Sequence, residues 1–130
     1  MAGERGDAVG GDSPFRVSHT VLHDGTNVVS VKGEIDVGVA AKFERALDEA
    51  VQSAEASGIV VDLSEVTFLD STALTALVHC FERQRARLQR FSVVADDNRV
   101  RSLLEVTRLD QLLNLYASRD EAKAFVSDWT

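Results

Sequence analysis

The chain has 130 residues, 45% of them hydrophobic and 27% charged, which is the composition of an ordinary globular protein. At roughly 100 to 200 residues per domain, this length fits one domain and leaves little room for a second. Twenty-one acidic against fourteen basic residues give a net charge of −7. This charge disfavours direct binding to nucleic acid or to an anionic membrane surface.

The cysteine content and the N-terminal sequence indicate the cellular compartment. Cys80 is the single cysteine, so the chain can form neither an internal disulfide nor a thiolate zinc site, which fits a reducing cytoplasm. The N-terminus lacks the basic start and apolar stretch of a signal peptide, and apolar runs are too short to span a membrane. We therefore expect a cytoplasmic protein with no metal, no cofactor and no membrane contact.

The chain opens with a glycine-rich segment and continues into a patterned region. Residues 1–14 hold few residues that could anchor a core, which predicts a flexible tail followed by one domain over 15–130. Apolar residues alternate with polar ones from Phe15 to Val21, Asp24-Gly25 marks a turn, and valines follow. This pattern predicts a β-hairpin.

After the hairpin, segments with strand and helix patterns alternate. Apolar residues at helical spacing predict a first helix over residues 38–56, and the β-branched run Ile59–Leu63 predicts a buried strand. A second helix is expected to begin near Ser71. The remaining predicted elements are a strand at 91–94, a helix through 100–106, a short extended segment at 115–116 and a last helix over 118–126. The order ββαβαβαβα predicts an α/β domain with a mixed, mainly parallel central sheet covered by helices.

Three residues with side-chain oxygens lie where the predicted strand becomes the second helix: Asp70, Ser71 and Thr72. One such residue commonly caps the first helical turn, so a purely structural role is open. A single cap needs only one of them, which leaves at least one exposed hydroxyl available to a kinase. A phosphate there adds about −1.5 to −2 charges while the helix N-terminus stabilises it.

Other chemical candidates have simpler explanations. Cys80 lies on an apolar stripe of the second helix, which indicates a buried thiol rather than a nucleophile. The basic residues Arg83, Arg85, Arg87 and Arg90 lack interleaved aromatics, which favours a solvated helix end over a nucleic-acid patch. A hydrolase with Ser71 as its nucleophile would want glycines two positions before and after it, where this chain has other residues. No glycine loop that cradles phosphates is present either.

Four segments together resemble successive blocks of a STAS domain, and most closely the bacterial anti-sigma factor antagonists. They are 33–36 (GEID), 61–66 (VDLSEV), 68–74 (FLDSTAL) and 100–109 (VRSLLEVTRL). The resemblance runs from about Phe15 to Val126. It implies that Ser71 is phosphorylated by a partner that is both an anti-sigma factor and an ATP-using serine kinase. It also implies that the unphosphorylated chain binds this partner and frees a sigma factor, and that a phosphatase acting on phosphorylated Ser71 resets it.

The same resemblance assigns roles to residues around Ser71. Glu34 and Asp36 match an acidic loop that contacts the partner, Asp70 flanks the hydroxyl, and Thr72 is a weaker alternative acceptor. Ala73 is a further partner-contact position, and it stands where the family commonly has glycine, so its methyl is expected to restrict the choice of partner or slow the kinase. Arg108 likewise replaces a family glycine, at a cost of about 1 kcal/mol if the position needs a positive φ.

Two alternatives to a switched antagonist remain at this point. STAS domains also serve as constitutive assembly subunits in stress-signalling complexes and in transporters, and such a subunit would not switch. An enzyme using Ser71 as nucleophile is disfavoured by the lack of a neighbouring base within a glycine elbow. The sequence leaves the oligomeric state, the sigma factor and the input signal open.

Overall fold

The structure, a computed structural model, describes residues 15–53, 57–96 and 99–127 and contains one five-stranded sheet in the order β1-β2-β3-β4-β5. β1 and β2 are antiparallel, and each later neighbouring pair is parallel. The strands are β1 (Arg16–Val21), β2 (Asn27–Ile35), β3 (Gly58–Leu69), β4 (Arg90–Val94) and β5 (Leu115–Tyr116). The helices are α1 (Ala40–Gln52), α2 (Ser71–Ala86), α3 (Arg99–Val106), α4 (Leu109–Leu112) and α5 (Arg119–Ser127).

The turn chemistry of the predicted hairpin appears at the β1–β2 connection. The carboxylate of Asp24 accepts a hydrogen bond from the backbone N–H of Thr26 at 3.0 Å. Gly25 has a φ of 93°, a backbone conformation that glycine adopts without strain. The hairpin is therefore confirmed.

Helices cover the sheet on both faces, and alternate residues of a strand point to opposite faces. In β3, Val61 faces the main core, to which α1, α2 and α3 contribute, while Val60 faces a smaller core completed by α5. The largest fully buried side chains of the main core include Phe43, Phe91, Ile35, Leu47 and Leu77. The predicted α/β fold with a mixed, mainly parallel sheet is confirmed.

Several boundaries differ from the sequence-based expectation. α1 ends at Gln52, whereas residues 54–56 of the predicted first helix lie outside the described residues. β3 continues past the predicted Leu63 to Leu69, because the ladder with β2 takes up one extra residue between Asp62 and Glu65 and then resumes. The four-residue α4 was not predicted, and it adds one helix between α3 and β5. The predicted tail at 1–14 also lies outside the described residues.

Two helix ends place large side chains in the left-handed backbone region. Arg108, expected to occupy a glycine-like position, has a φ of 64°, and Leu88, which follows α2, has a φ of 59°. This region is strained for residues with a Cβ atom, whereas glycine adopts it freely. Both positions therefore carry a stability cost that glycine would relieve.

We expect Arg108→Gly and Leu88→Gly each to raise the free energy of unfolding by about 1 kcal/mol, since each removes left-handed strain. Urea denaturation of the purified proteins measures this change. Ser102→Gly, inside α3, is the control and should lower stability, because glycine is the poorer helix former. Destabilisation by all three substitutions would contradict the prediction.

Candidate functional site

The residues singled out from the sequence meet at the end of the sheet where β2 and β3 finish. Ile35 of β2 pairs with Leu69 of β3, and the backbone N–H of Asp70 donates to the Ile35 carbonyl at 3.2 Å. This bond holds the loop after β2 against the start of α2. The acidic loop and the predicted phosphorylation site therefore adjoin, although they are far apart in sequence.

Asp70 is the residue that caps α2. Its carboxylate accepts hydrogen bonds from the backbone N–H groups of Thr72 and Ala73, at 3.0 and 3.2 Å. The Thr72 hydroxyl donates to the same oxygen at 2.5 Å. These donors, the Thr72 hydroxyl foremost, hold the pKa of Asp70 below its ordinary value, so the cap is charged at neutral pH.

Ser71 occupies the first position of α2 and is exposed. Within the described ranges its side-chain hydroxyl makes no hydrogen bond, whereas the Thr72 hydroxyl is engaged by Asp70. Of the two hydroxyls at this junction, the one on Ser71 is therefore the more accessible to an incoming phosphoryl donor. Asp70 takes the structural role that any of the three residues could have filled.

Removing the cap tests this division of roles. We expect Asp70→Ala to lower the urea midpoint of unfolding, because two backbone N–H groups lose their acceptor. Asp70→Asn keeps a side-chain oxygen at the same place and should lose clearly less stability. Equal losses for the two variants would show that the charge rather than the cap dominates.

The other predicted contact residues differ in accessibility. Glu34 and Asp36 are exposed, and the Asp36 carboxylate accepts from the backbone N–H of Gly38 at 2.9 Å, which shapes the loop. Ala73 is completely buried in the main core. The expectation that its methyl hinders a partner is therefore wrong for this structure, because the methyl points inward.

A cleft that sequence reasoning missed lies beside these residues. Its volume is about 740 Å³, and Phe68, with 46% of its surface exposed, forms part of its lining. The other lining residues are Glu34, Ser64, Glu65, Val66, Thr67 and Arg99. The segment 66–69 (VTFL) is mostly apolar, and its pattern alone does not indicate that Phe68 faces outward.

The remaining chemical candidates are accounted for by structural contacts. Cys80 is fully buried, as predicted from its place on the apolar stripe, and this burial raises the pKa of its thiol to about 12. Three of the four arginines near the end of α2 contact the protein itself. Arg83 pairs with Asp48, Arg87 donates to the Val51 carbonyl, and Arg90 donates to the Phe125 carbonyl at 3.0 Å.

The described part of the chain holds neither a cluster of metal ligands nor a helix that could span a membrane. Among residues 15–53, 57–96 and 99–127, no group of three or more His, Cys, Asp or Glu side chains could hold a metal ion. In the same ranges no helix is both long and apolar enough to cross a membrane.

Known proteins share this arrangement of helices and strands. The sequence profile of the STAS domain matches residues 19–122. The chain belongs to the STAS domain family. Its relatives place this STAS domain in the anti-sigma factor antagonist branch: it is 33% identical over 111 residues to the anti-sigma-F factor antagonist RsfB of Mycobacterium tuberculosis. That match covers 85% of this chain and 89% of RsfB.

Solved structures agree with this assignment. An anti-sigma factor antagonist from Mycobacterium paratuberculosis superposes with a TM-score of 0.78 at 34% identity, covering 88% of this STAS domain and 95% of that chain. Unphosphorylated SpoIIAA, an anti-sigma factor antagonist, has a TM-score of 0.73 at 16% identity, with 88% and 99% of the two chains covered. Phosphorylated SpoIIAA of Bacillus has a TM-score of 0.67, again at 16% identity, with 85% and 99% covered. The SpoIIAA structures share the fold.

Proposed function

We propose that this STAS domain binds an anti-sigma factor serine kinase while Ser71 is unphosphorylated, frees a sigma factor by doing so, and is switched off by phosphorylation of Ser71. The observation that carries the proposal is the exposed Ser71 hydroxyl, which stands unbonded beside a cap that Asp70 and Thr72 already complete. The branch to which the chain belongs supports the choice of partner.

Phosphorylation acts on the surface and leaves the fold in place. A phosphate on Ser71 adds about −1.5 to −2 charges at the N-terminal end of α2, where backbone N–H groups and the helix dipole favour negative charge. The same charge lies close to Asp70 and near the acidic loop with Glu34 and Asp36. A partner surface that complements the unphosphorylated site would have to desolvate this phosphate, which weakens binding.

The STAS domain itself performs no catalysis in this proposal. The kinase partner supplies ATP and the catalytic groups, and a separate phosphatase removes the phosphate from Ser71. Because the kinase reaction uses ATP, the proposal places the protein in the cytoplasm. The protein makes no direct contact with nucleic acid in this proposal. Transcription is controlled through the availability of the sigma factor alone.

The acceptor is tested by incubating the purified chain with each anti-sigma factor serine kinase encoded in the same genome, together with ATP. Intact-mass and peptide mass spectrometry should find one phosphate, on Ser71. Ser71→Ala should abolish it, whereas the matched variant Thr72→Val should retain it. Phosphate on Thr72 in the wild-type chain would reassign the acceptor. No phosphate with any kinase, together with equal binding of wild type and Ser71→Glu, would favour a non-switching assembly subunit.

A further inference from the structure

The cleft beside Ser71 is bounded by the part of β3 that extends beyond β4. β4 pairs with β3 only as far as the Asp62–Val94 pair, whereas β3 continues to Leu69 along β2. From Ser64 to Phe68 the side of β3 away from β2 therefore faces the cleft rather than another described strand. The cleft opens at the same end of the sheet as Ser71.

A bulge in β3 turns Phe68 into this cleft. Gly33 pairs with Val66 and Glu34 with Phe68, so one extra β3 residue, Thr67, lies between the two pairs. Such an insertion re-aims the side chains that follow it. Gly33, opposite, has a φ of 99°, which glycine accepts without strain.

The bulge keeps two neighbours of Phe68 in the core. Val66 and Leu69 are 1% and 5% exposed and both belong to the main core, although they are an odd number of residues apart. In a regular strand residues three apart point to opposite faces. The irregular ladder thus buries Val66 and Leu69 together and leaves Phe68 46% exposed.

The charges around Phe68 define what the cleft can accept. Its lining holds two carboxylates, Glu34 and Glu65, against one cation, Arg99, and all three residues are exposed. The pair between Glu65 and Lys32 is long, at 3.7 Å, with both side chains more than half exposed. An exposed pair of this kind contributes little and leaves the carboxylate able to accept another cation. An exposed aromatic ring flanked by carboxylates complements an apolar side chain that has a basic residue beside it.

We infer that the cleft receives an apolar side chain of the anti-sigma factor partner, with a lysine or arginine of the same partner segment against Glu34 and Glu65. Phe68 is then an anchoring and specificity-determining contact, separate from the phosphorylated hydroxyl. This inference rests on the proposed function, because the partner is the same kinase. The affinity of the complex then comes from two adjoining regions, the cleft and the start of α2, and only the second contains the phosphorylated residue.

Isothermal titration calorimetry with the purified anti-sigma factor serine kinases of the same genome tests both the proposed function and the role of the cleft. The probe is a kinase that binds the wild-type chain and loses affinity for Ser71→Glu. With that kinase, Phe68→Ala and Glu34→Lys should each raise Kd at least tenfold, about 1.4 kcal/mol. The control is Leu88→Ala, which truncates a side chain that is 83% exposed near the opposite end of α2, and it should stay within twofold.

The outcomes separate the two claims. If Ser71→Glu weakens binding while Phe68→Ala stays within twofold of wild type, the cleft inference is overturned and the proposed function stands. If no kinase binds the wild-type chain, or if Ser71→Glu binds as the wild type does, the proposed function falls and the cleft inference falls with it.

A cross-linking measurement covers the case in which Phe68→Ala fails to fold. Photoactivatable p-benzoyl-phenylalanine at position 68 keeps an aromatic ring in the cleft. Irradiation with the same kinase should cross-link a partner peptide that carries an apolar residue next to lysine or arginine, as read by mass spectrometry. The same group at position 88 is the control and should give no cross-link. Absence of a product from position 68, or a product lacking a basic neighbour, would overturn the inference.

Discussion

Ser71→Glu is expected to weaken binding to the anti-sigma factor kinase by more than a hundredfold, about 3 kcal/mol. The added carboxylate stands beside Asp70 at the exposed start of α2, so a partner in contact with this surface would have to desolvate a second negative charge. Ser71→Ala removes the acceptor without adding charge and should bind within a fewfold of the wild type. Calorimetry with the purified kinase measures both dissociation constants.

A charge elsewhere on the same helix provides the control for this prediction. Thr75 is exposed one turn after Ser71, and its hydroxyl donates to the Ser71 carbonyl at 3.0 Å. Thr75→Glu adds the same charge one turn away from the acceptor and should change Kd much less than Ser71→Glu. A similar loss for both variants would indicate a general electrostatic effect rather than a switch at Ser71.

Asp62→Ala is expected to have the largest effect on stability among the polar substitutions considered, about 2 kcal/mol. One carboxylate oxygen of Asp62 accepts from Arg119 at 2.8 and 3.0 Å, and the other accepts from the Ser64 hydroxyl and backbone N–H at 2.6 and 3.0 Å. The substitution removes all of these hydrogen bonds, including the two that connect Arg119, at the start of α5, to the sheet.

Urea denaturation measures the loss, and an exposed ion pair supplies its control. Lys32 and Glu65 lie 3.7 Å apart on the surface, with side-chain exposures of 59% and 66%. Lys32→Ala should therefore change stability by no more than about 0.5 kcal/mol. If Asp62→Ala costs no more than Lys32→Ala, the contact with Arg119 does not stabilise the fold.

The contribution of Asp62 should depend on pH in a defined direction. Burial raises its pKa, but the hydrogen bonds from Ser64 and Arg119 outweigh burial, and the folded-state pKa lies below the ordinary value of 3.8. A lowered pKa means that the stabilisation is fully present above the unfolded-state value and is lost as the pH falls through the folded-state value. The stability difference between wild type and Asp62→Ala should therefore be constant near neutral pH and shrink below about pH 4. A difference that grows on acidification would contradict this assignment.

Local signals allowed much of this fold and part of its site to be predicted from the sequence. The turn at Asp24-Gly25 and the helical spacing after Ser71 depend on neighbouring residues, and both elements formed as expected. The strand-to-helix junction likewise predicted the polar cluster of Asp70, Ser71 and Thr72.

Features that depend on tertiary packing could not be predicted from the sequence. Whether the Ala73 methyl faces the core or a partner is decided by how α2 lies on the sheet, and the expectation was wrong. The bulge at Thr67 depends on register with β2, so the outward turn of Phe68 could not be foreseen. The hydrogen bond between Asp62 and Arg119 joins residues 57 positions apart, and no local sequence pattern predicts it.

Release of a sigma factor tests the central claim most directly. A preformed complex of the kinase with its fluorescently labelled sigma factor is titrated with the unphosphorylated chain and, separately, with the chain phosphorylated on Ser71, while anisotropy reports the bound sigma factor. We predict that the unphosphorylated chain displaces the sigma factor near stoichiometric amounts and that the phosphorylated chain needs at least about a hundredfold more. Equal displacement by the two forms, or none by either, would contradict the account.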